Sequence, residues 1–425
     1  MKTKSLITVF LVFFSCSVFA QFDRWFEDKT LRIDYQHMGT DSTEFYAVDE
    51  LREEPYWGGS KVNLLDTFQY GKYYFEVFDL ESDSLIYSRG YSSLFGEWQT
   101  TAEAESNRKS FSESVVFPYP QKDVRVNFYS RNEESGELEK KFEYEIDPDN
   151  YFINPQLRMR YPVYDAYIAG DPDKCVDVII LPDGYTKEEM EQFKTDCDNF
   201  AEHLFSFAPY DQNKDKFNIR GVLAPSEQSG GDKPAADTWN HTILNSSYST
   251  FGSERYCMTL DHKALRDLAA NAPYDQIYIL LNDPKYGGGG VYNFYCLSVN
   301  SNQQAAKIFI HEFGHGFAGL GDEYYNSEVA YDGFYNEEIE PWEPNLTTLV
   351  DFGSKWENMV ADSIPVPTPD SPEYQKVIGV FEGGGYESEG VYRPAYNCLM
   401  NTFFVDEFCD VCKHNIQKMI DFYTD

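Results

Sequence analysis

The stretch IFIHEFGHGFAGLGDEYY, residues 308–325, contains two of the seven histidines in the chain. His311 and His315 are four residues apart, and on a helix residues at that spacing lie on one face, one turn apart. Their imidazoles can therefore bind one metal ion. Glu312 projects from a neighbouring position, where its carboxylate can hold a water beside the metal and accept its proton.

Zinc suits this pair of imidazoles, because it binds neutral nitrogen ligands and tolerates an open fourth position. A catalytic zinc lowers the pKa of its water to about 7, so that a glutamate can remove the proton. Short HExxH patterns also occur by accident on surface helices, but the flanks AAKIFI and GFAGL indicate a buried helix here. Unpaired polar side chains are costly in such a helix. The pattern therefore favours the zinc site of a metallopeptidase, with Glu312 as general base.

A catalytic zinc site usually has a third protein ligand, which the sequence offers after the helix. Gly319 and Gly321 can end the helix in left-handed conformations, so that the chain turns back beneath the metal. Asp322 is then the first side chain that can bind the metal, and Glu323 is the alternative. The acid that does not bind the metal is expected to support one of the ligands.

The HExxH helix belongs to a region, residues 175–425, in which strand and helix patterns alternate. Apolar strand patterns are followed by segments with helical spacing, of which the first opens with a capping box of Thr186 and Glu189. The strands are expected at 175–185, 216–225 and 275–283, and the helices at 186–210 and 258–272. This order predicts an α/β domain.

Residues 21–150 have a different pattern, and residues 151–174 are expected to be a connector. Short, aromatic, partly alternating segments separated by turn clusters predict a β-sandwich. The strands are expected at 30–39, 72–80, 84–91, 114–120, 124–131 and 140–146. Because this region has one histidine and no cysteine, it is interpreted as a structural accessory domain. A binding or positioning module is the alternative.

The composition limits the partners of the chain. With 35 basic and 71 acidic residues, the formal net charge is −36, which repels nucleic acids and anionic membrane surfaces. The acidic residues leave a structural Ca²⁺ site open as an expectation. The segment DQNKDKFNIRGV, residues 211–222, begins like a calcium loop but lacks the glycine and glutamate that such a loop requires at positions six and twelve.

The first twenty residues have the pattern of a signal peptide, with a basic start, an apolar stretch and small residues before a cleavage site after Ala20. A lipoprotein signal at Cys16 is disfavoured, because Phe13 and Phe14 fit that motif poorly. No later segment is apolar enough to cross a membrane. We therefore expect an exported protein that is periplasmic, attached to the cell surface or extracellular.

Seven cysteines follow the signal peptide, at positions 175, 197, 257, 296, 398, 409 and 412. An oxidising compartment permits disulfides, but an odd number leaves at least one free thiol. Cys398 could form a disulfide with Cys409 or Cys412 near the end of the chain. The single C-x-x-C pair does not by itself establish a zinc site.

Several segments together resemble the secreted bacterial zinc metallopeptidase family that includes an IgA-cleaving protease. The segments are HEFGHGFAGLGDEYY from His311, ILPDGYT around Gly184, SEQSGGDKP at 226–234 and the block GGGYESEGVYRPAYNCLMNTFFVDEFCDVC at 383–412. This resemblance spans about residues 170–420. The preceding β-rich region is similar to the N-terminal accessory domain of that family.

The resemblance implies a metzincin-like fold, in which an edge strand above the HExxH helix binds the substrate backbone by main-chain pairing. That strand is expected at 290–299, with Val291, Asn293 and Tyr295 as substrate-binding residues. The family also implies a methionine turn beneath the metal, for which Met400 is the candidate. The chain departs from the commoner metzincin spacing, because Gly319 and Asp322 each lie one residue later than that pattern places them.

A peptidase also needs a donor for the developing oxyanion, which the metal supplies in part. Tyr392 and Tyr386 are candidates for a second donor, although in a chain with 33 tyrosines either can be purely structural.

The sequence predicts a secreted zinc peptidase that acts on a protein or peptide. An endopeptidase is the first hypothesis, and an exopeptidase stays open. Two alternatives are a non-enzymatic surface protein on an inactive peptidase scaffold and a zinc hydrolase with a non-peptide substrate. The intact His311, Glu312 and His315 argue against the inactive scaffold. Cleavage of IgA does not follow from the resemblance, and the sequence does not determine the oligomeric state.

Overall fold

The computed structural model describes residues 19–325 and 334–425. The predicted signal peptide, with Cys16, lies outside this range except for its last two residues. Among the described residues, no helix combines the length and the apolar character needed to cross a membrane.

The N-terminal part of the chain forms two antiparallel sheets. Its elements are α1 (Phe19–Trp25), β1 (Phe26–Gly39), β2 (Glu44–Glu54), β3 (Tyr73–Asp79), β4 (Leu85–Tyr91), α2 (Leu94–Gln99), α3 (Ala102–Ser106), β5 (Lys109–Pro120), β6 (Val124–Arg131) and β7 (Leu138–Ile146). One sheet has the order β2-β1-β5 and the other has the order β4-β3-β6-β7. The six strands expected in this region are all present.

The two sheets pack face to face through aromatic side chains, in agreement with the predicted sandwich. The rings of Tyr35 and Phe128 lie 5.3 Å apart, and those of Phe75 and Phe117 lie 6.3 Å apart. The sequence analysis missed β2, which pairs with β1 along most of its length. Five of its eleven residues are acidic, so it lacks the apolar alternation of a half-buried strand.

The C-terminal part of the chain is built on one mixed sheet. Its elements are β8 (Val163–Ile168), β9 (Val176–Asp183), α4 (Met190–Leu204), β10 (Phe217–Val222), α5 (His262–Ala269), β11 (Gln276–Leu281), β12 (Gly288–Val291), β13 (Tyr295–Val299), α6 (Ala305–Ala318), β14 (Phe381–Gly384), β15 (Glu387–Arg393) and α7 (Asp410–Thr424). The sheet order is β12-β13-β11-β9-β10-β8. The four inner strands are parallel, and β12 and β8 are antiparallel edge strands.

The three strands and two helices expected between residues 175 and 283 are present with shorter bounds. The predicted capping box before α4 forms, since the main-chain nitrogen of Thr186 donates to the carboxylate of Glu189 at 2.7 Å. Strand β8 lies within the range expected to be a connector, and it pairs with β10.

The mixed sheet is covered on both faces, which explains its nearly continuous apolar strands. Val178 and Ile180 of β9 face the core that contains the aromatic side chains of α4 and α6. The alternate residues, Ile179 and Leu181, face α5 and the sandwich. A buried ion pair crosses this second interface, with Arg32 of β1 2.7 Å from Asp267 of α5. The sandwich therefore packs against the sheet that carries the HExxH helix.

Candidate metal centre and substrate cleft

Helix α6 presents the HExxH residues at one end of the mixed sheet. It ends at Gly319, which has the left-handed φ of 64° and donates its N–H to His315. The expectation for Gly321 was wrong, because its φ is not left-handed. Glycine gives space there, since a Cβ would lie 2.5 Å from the side chain of Leu346, which would have to shift. This close passage returns the chain to the face of α6 that carries His311 and His315.

The turn after α6 places Asp322 beside both histidines. Its Oδ1 lies 3.1 Å from His311 Nε2 and 3.3 Å from His315 Nε2. The two Nε2 atoms are 3.1 Å apart. We call these three atoms the acceptor trio. Glu323, the alternative ligand, points away from the trio.

The hydrogen bonds of the two imidazoles determine what the trio can hold. His311 Nδ1 donates to the carbonyl of Leu399 at 3.1 Å, and His315 Nδ1 donates to the carbonyl of Leu320 at 2.6 Å. Because a carbonyl only accepts, the proton of each neutral imidazole is on Nδ1 and each Nε2 presents a lone pair. With both imidazoles neutral, three acceptor atoms therefore converge, and the buried Asp322 Oδ1 has no hydrogen-bond donor among the described residues, an arrangement suited to a cation.

The spacing of the trio fits zinc. With metal–ligand bonds of about 2.0–2.1 Å and tetrahedral angles, neighbouring ligand atoms lie about 3.3 Å apart. The observed separations are 3.1 to 3.3 Å. Two imidazoles and one carboxylate also match the ligand types of catalytic zinc sites, which leave one position open. His311, His315 and Asp322 are thus suited to hold a zinc ion.

The pKa shifts of the trio also indicate that its surroundings favour a positive charge. Burial opposes protonation of His315, but the Asp322 carboxylate outweighs it and raises the pKa of the imidazole to about 9. Burial favours the neutral form of Asp322, yet the adjacent imidazoles hold its pKa well below the ordinary value. A metal cation supplies this positive charge when both imidazoles are neutral.

Glu312 lies beside the trio. Its carboxylate and a ring nitrogen of each histidine all lie within 4.8 Å of one another, and the Asp322 oxygen lies 3.1 and 3.3 Å from the two histidines. The Glu312 side chain is half-buried at the wall of the cleft. Burial raises its pKa, although the neighbouring histidines oppose this. This placement suits a group that handles protons next to a metal.

The two tyrosines named as oxyanion donors occupy different places. The hydroxyl of Tyr386 donates to Asp322 Oδ2 at 2.5 Å, and burial raises the pKa of this phenol well above its ordinary value. Tyr386 therefore orients the carboxylate of the trio. Tyr392 lies on β15, where its hydroxyl is 3.5 Å from Glu382, and the described residues that line the cleft do not include it.

Replacing Tyr386 by Phe is expected to weaken zinc binding and peptide cleavage by about 10- to 100-fold, the usual effect of losing a partner of a metal ligand. Chelator competition would measure the affinity. Tyr392→Phe serves as the matched control, because its hydroxyl is remote from the trio. Equal affinities of Tyr386→Phe and the wild type would contradict this role.

Met400 lies in the turn beneath α6. Its side chain is fully buried, and its sulfur would be 3.0 Å from a Cβ at Gly314 of the HExxH helix. The carbonyl of Leu399 accepts the hydrogen bond from His311, and the carbonyl of Met400 accepts one from the main chain of Glu323 at 2.9 Å. The turn thus connects α6 to the segment that carries Asp322.

The strand expected at 290–299 is two strands. Asn293 has the left-handed φ of 49°, which asparagine tolerates better than most residues, and the chain reverses there. Strand β12 is the edge strand, whereas β13 is internal and its Tyr295 is buried, donating to the carbonyl of Thr259 at 2.6 Å. Asn293 donates to the carbonyl of Gly90 in the sandwich. Of the three residues named for substrate binding, only Val291 is on the edge strand, and its side chain is buried.

The glycines of β12 allow the strand to lie directly against α6. A Cβ at Gly290 would collide with the main-chain oxygen of Glu312, and one at Gly288 would lie 3.1 Å from the Glu312 carboxylate. This close approach brings the main chain of β12 next to the trio.

The substitution Gly290→Ala is expected to lower the free energy of unfolding by roughly 1–3 kcal/mol, because β12 or α6 must shift to accommodate the methyl group. Denaturant unfolding would measure the change, and peptide cleavage should fall with it. Gly353→Ala is the control, since its nearest neighbour is the carboxylate of Glu357 at 3.5 Å. A Gly290→Ala variant as stable as the control would contradict the collision.

The trio and Glu312 open into a cleft of about 900 Å³ that the sandwich helps to line. Glu97 of α2 lies in this wall and accepts a hydrogen bond from Tyr256. Burial raises the pKa of Glu97 to about 7. Arg255 also lines the cleft, with its guanidinium 6.0 Å from the ring of Tyr324. Sequence reasoning missed Glu97 and Arg255, because neither belongs to a local motif, and it gave Tyr324 no role although this residue lies in the HExxH segment.

Comparisons with known families agree with this architecture. The family model described as IgA Peptidase M64 matches residues 166–377 and 370–420. The model described as Peptidase M64 N-terminus matches residues 21–143. No curated protein matches the chain. Since the first model alone covers more than half of the sequence, the chain belongs to the IgA Peptidase M64 family of peptidases.

Proposed function

We propose that the chain is an exported, zinc-dependent endopeptidase with a metzincin-like catalytic domain. The observation that carries this proposal is the acceptor trio of His311, His315 and Asp322, with the carboxylate of Glu312 beside it. Membership of a peptidase family supports the reaction class. The antiparallel edge strand next to the HExxH helix supports the metzincin-like arrangement.

The chemistry divides between the metal and the chain. Zinc in such a site supplies a Lewis acid that polarises the scissile carbonyl and makes a coordinated water more acidic. Glu312 accepts the proton of the attacking water and then delivers it to the leaving amine. Tyr386 holds Asp322 in place throughout, and the carbonyls of Leu399 and Leu320 hold both imidazoles in the correct tautomer.

The substrate is held by the main chain of β12. Along this edge strand, the main-chain N–H and carbonyl groups that point away from β13 belong to every second residue. The N–H of Gly288 donates to the carbonyl of Arg255, and the carbonyl of Gly288 accepts from the N–H of Cys257. The carbonyl of Tyr292 accepts a hydrogen bond from the N–H of Ser92. The N–H and carbonyl of Gly290, which lies between them, therefore face the cleft and can pair with one residue of a bound peptide. Main-chain pairing of this kind suits an internal segment of a polypeptide, which is the substrate class of an endopeptidase.

The test uses the mature chain, residues 21–425, and a mixed peptide library. Cleavage at internal bonds, loss of cleavage after removal of metal with a chelator and recovery with zinc would support the proposal. Zinc binding without cleavage of any peptide would instead favour a non-peptide substrate or a binding protein on a peptidase scaffold. Cleavage that is insensitive to metal removal would overturn the proposal.

A further inference from the structure

A second group of metal-ligating side chains lies outside the catalytic trio. It consists of Cys398, Cys409, Cys412 and Glu323, whose ligand atoms all lie within 4.8 Å of one another. We call it the thiol cluster. The residues come from three separate segments: the loop after α6, the methionine turn and the start of α7.

The cysteines of the cluster are free thiols. The disulfide expected between Cys398 and Cys409 or Cys412 is therefore absent from the structure, although Cys398 Sγ and Cys412 Sγ are only 3.8 Å apart. With Zn–S bonds of about 2.3 Å and tetrahedral angles, two sulfur ligands of one zinc lie about 3.8 Å apart. The observed separation matches that of two sulfur ligands of one zinc ion.

Glu323 supplies an independent indication of a ligand. Its side chain is fully buried, and its Oε1 lies 3.0 Å from Asn345 Nδ2 and 3.1 Å from Cys412 Sγ. Its Oε2 has no hydrogen-bond partner, and no cation among the described residues forms an ion pair with it. A buried carboxylate beside three thiols is costly unless a positive charge compensates it.

The main chain around the cysteines also favours sulfur ligands of a metal. The N–H of Cys409 points at Cys398 Sγ at 3.2 Å, and the N–H of Cys412 points at Cys409 Sγ at 3.5 Å. Donors aimed at sulfur stabilise thiolates, which are the metal-binding form of cysteine. Cys409 caps the N-terminus of α7, where the helix dipole favours negative charge as well.

We propose that Cys398, Cys409, Cys412 and Glu323 bind a second, structural zinc ion. Three thiolates and a carboxylate are suitable ligands for zinc, and four protein ligands leave no open position for substrate. The C-x-x-C motif alone did not establish a zinc site, because Cys398 and Glu323 complete it only in the folded chain.

The position of this site implies that a metal bound there stabilises the segments that form the catalytic centre. Glu323 directly follows Asp322 of the trio, and Cys398 directly precedes Leu399, whose carbonyl holds His311. The main chains of Glu323 and Met400 are also bonded at 2.9 Å. A metal at the thiol cluster therefore fixes both the segment with the third catalytic ligand and the methionine turn.

The experiment separates the two metal sites. Zinc would be measured by mass spectrometry in the mature wild type and in a double variant, His311→Ala with His315→Ala, which removes two ligands of the catalytic site. We expect two zinc ions per chain in the wild type and one in the folded double variant. After cobalt replacement, the double variant should retain the sulfur-to-cobalt charge-transfer absorption in the near ultraviolet.

Cys409→Ser should lose this absorption, and Cys257→Ser, which removes a buried thiol outside the cluster, should keep it. A folded double variant without zinc or without the sulfur band would overturn the proposal, as would a native disulfide within the cluster. If the wild type binds one zinc that the double variant loses, only the structural site fails. If the wild type binds one zinc that the double variant keeps with its sulfur band, the catalytic zinc site fails instead.

Discussion

Replacing Glu312 by Gln is expected to lower kcat for peptide cleavage by about 10²- to 10⁴-fold, the usual contribution of a general base. The amide keeps the size of the side chain and cannot accept a proton from water. Because Glu312 lies outside the trio, zinc content and zinc affinity should remain those of the wild type. Steady-state kinetics on one peptide from the library would measure kcat, and the metal would be quantified in the same samples.

Glu382→Gln is the matched control for this change, since the Glu382 side chain is exposed on β14 and should leave kcat unchanged. Retention of kcat in Glu312→Gln would exclude Glu312 as the base. Loss of zinc together with activity would show that Glu312 supports the metal rather than the proton transfer.

Replacing Asp322 by Asn is expected to weaken zinc binding at the catalytic site by more than about 10²-fold, beyond the effect of losing a partner of a ligand. The amide removes the negative charge that the two imidazoles face at 3.1 and 3.3 Å. Activity should fall in parallel and recover in part at high zinc concentration. Chelator competition, with activity as the readout, would report this site separately from the thiol cluster.

Two variants sharpen this test. Asp362→Asn makes the same change at an exposed position and should bind zinc like the wild type. Glu323→Gln removes the charge of the neighbouring acid, which contacts Cys412 rather than the histidines. If Glu323→Gln abolished catalytic zinc binding while Asp322→Asn preserved it, the assignment of the third ligand would be wrong.

The elements that the sequence predicted well have strong local patterns. The buried strand β9, the aromatic strands of the sandwich and the amphipathic helix α4 each carry their periodicity within a few residues. Strand β2 lacks such a pattern, because antiparallel pairing with β1 holds it in the sheet and burial of its side chains does not. The break between β12 and β13 depends on one left-handed residue, Asn293, in an otherwise continuous strand pattern.

The sequence by itself determined the residues that depend on helical spacing. His311, Glu312 and His315 are related by the geometry of a single helix, so their shared face follows from their numbers. Residue type also indicated a left-handed end for that helix, which Gly319 provides and Gly321 does not.

Only the tertiary structure distinguishes the positions of Asp322 and Glu323, because adjacent side chains point in different directions once the turn is set. It directed Asp322 to the trio and Glu323 to the cysteines. The tertiary structure also placed Cys398 next to Cys412 and brought Glu97 of the sandwich to the cleft. The main chain of Gly290 faces the same cleft. These relations depend on contacts between segments that are distant in the chain, and a local pattern carries no information about such contacts.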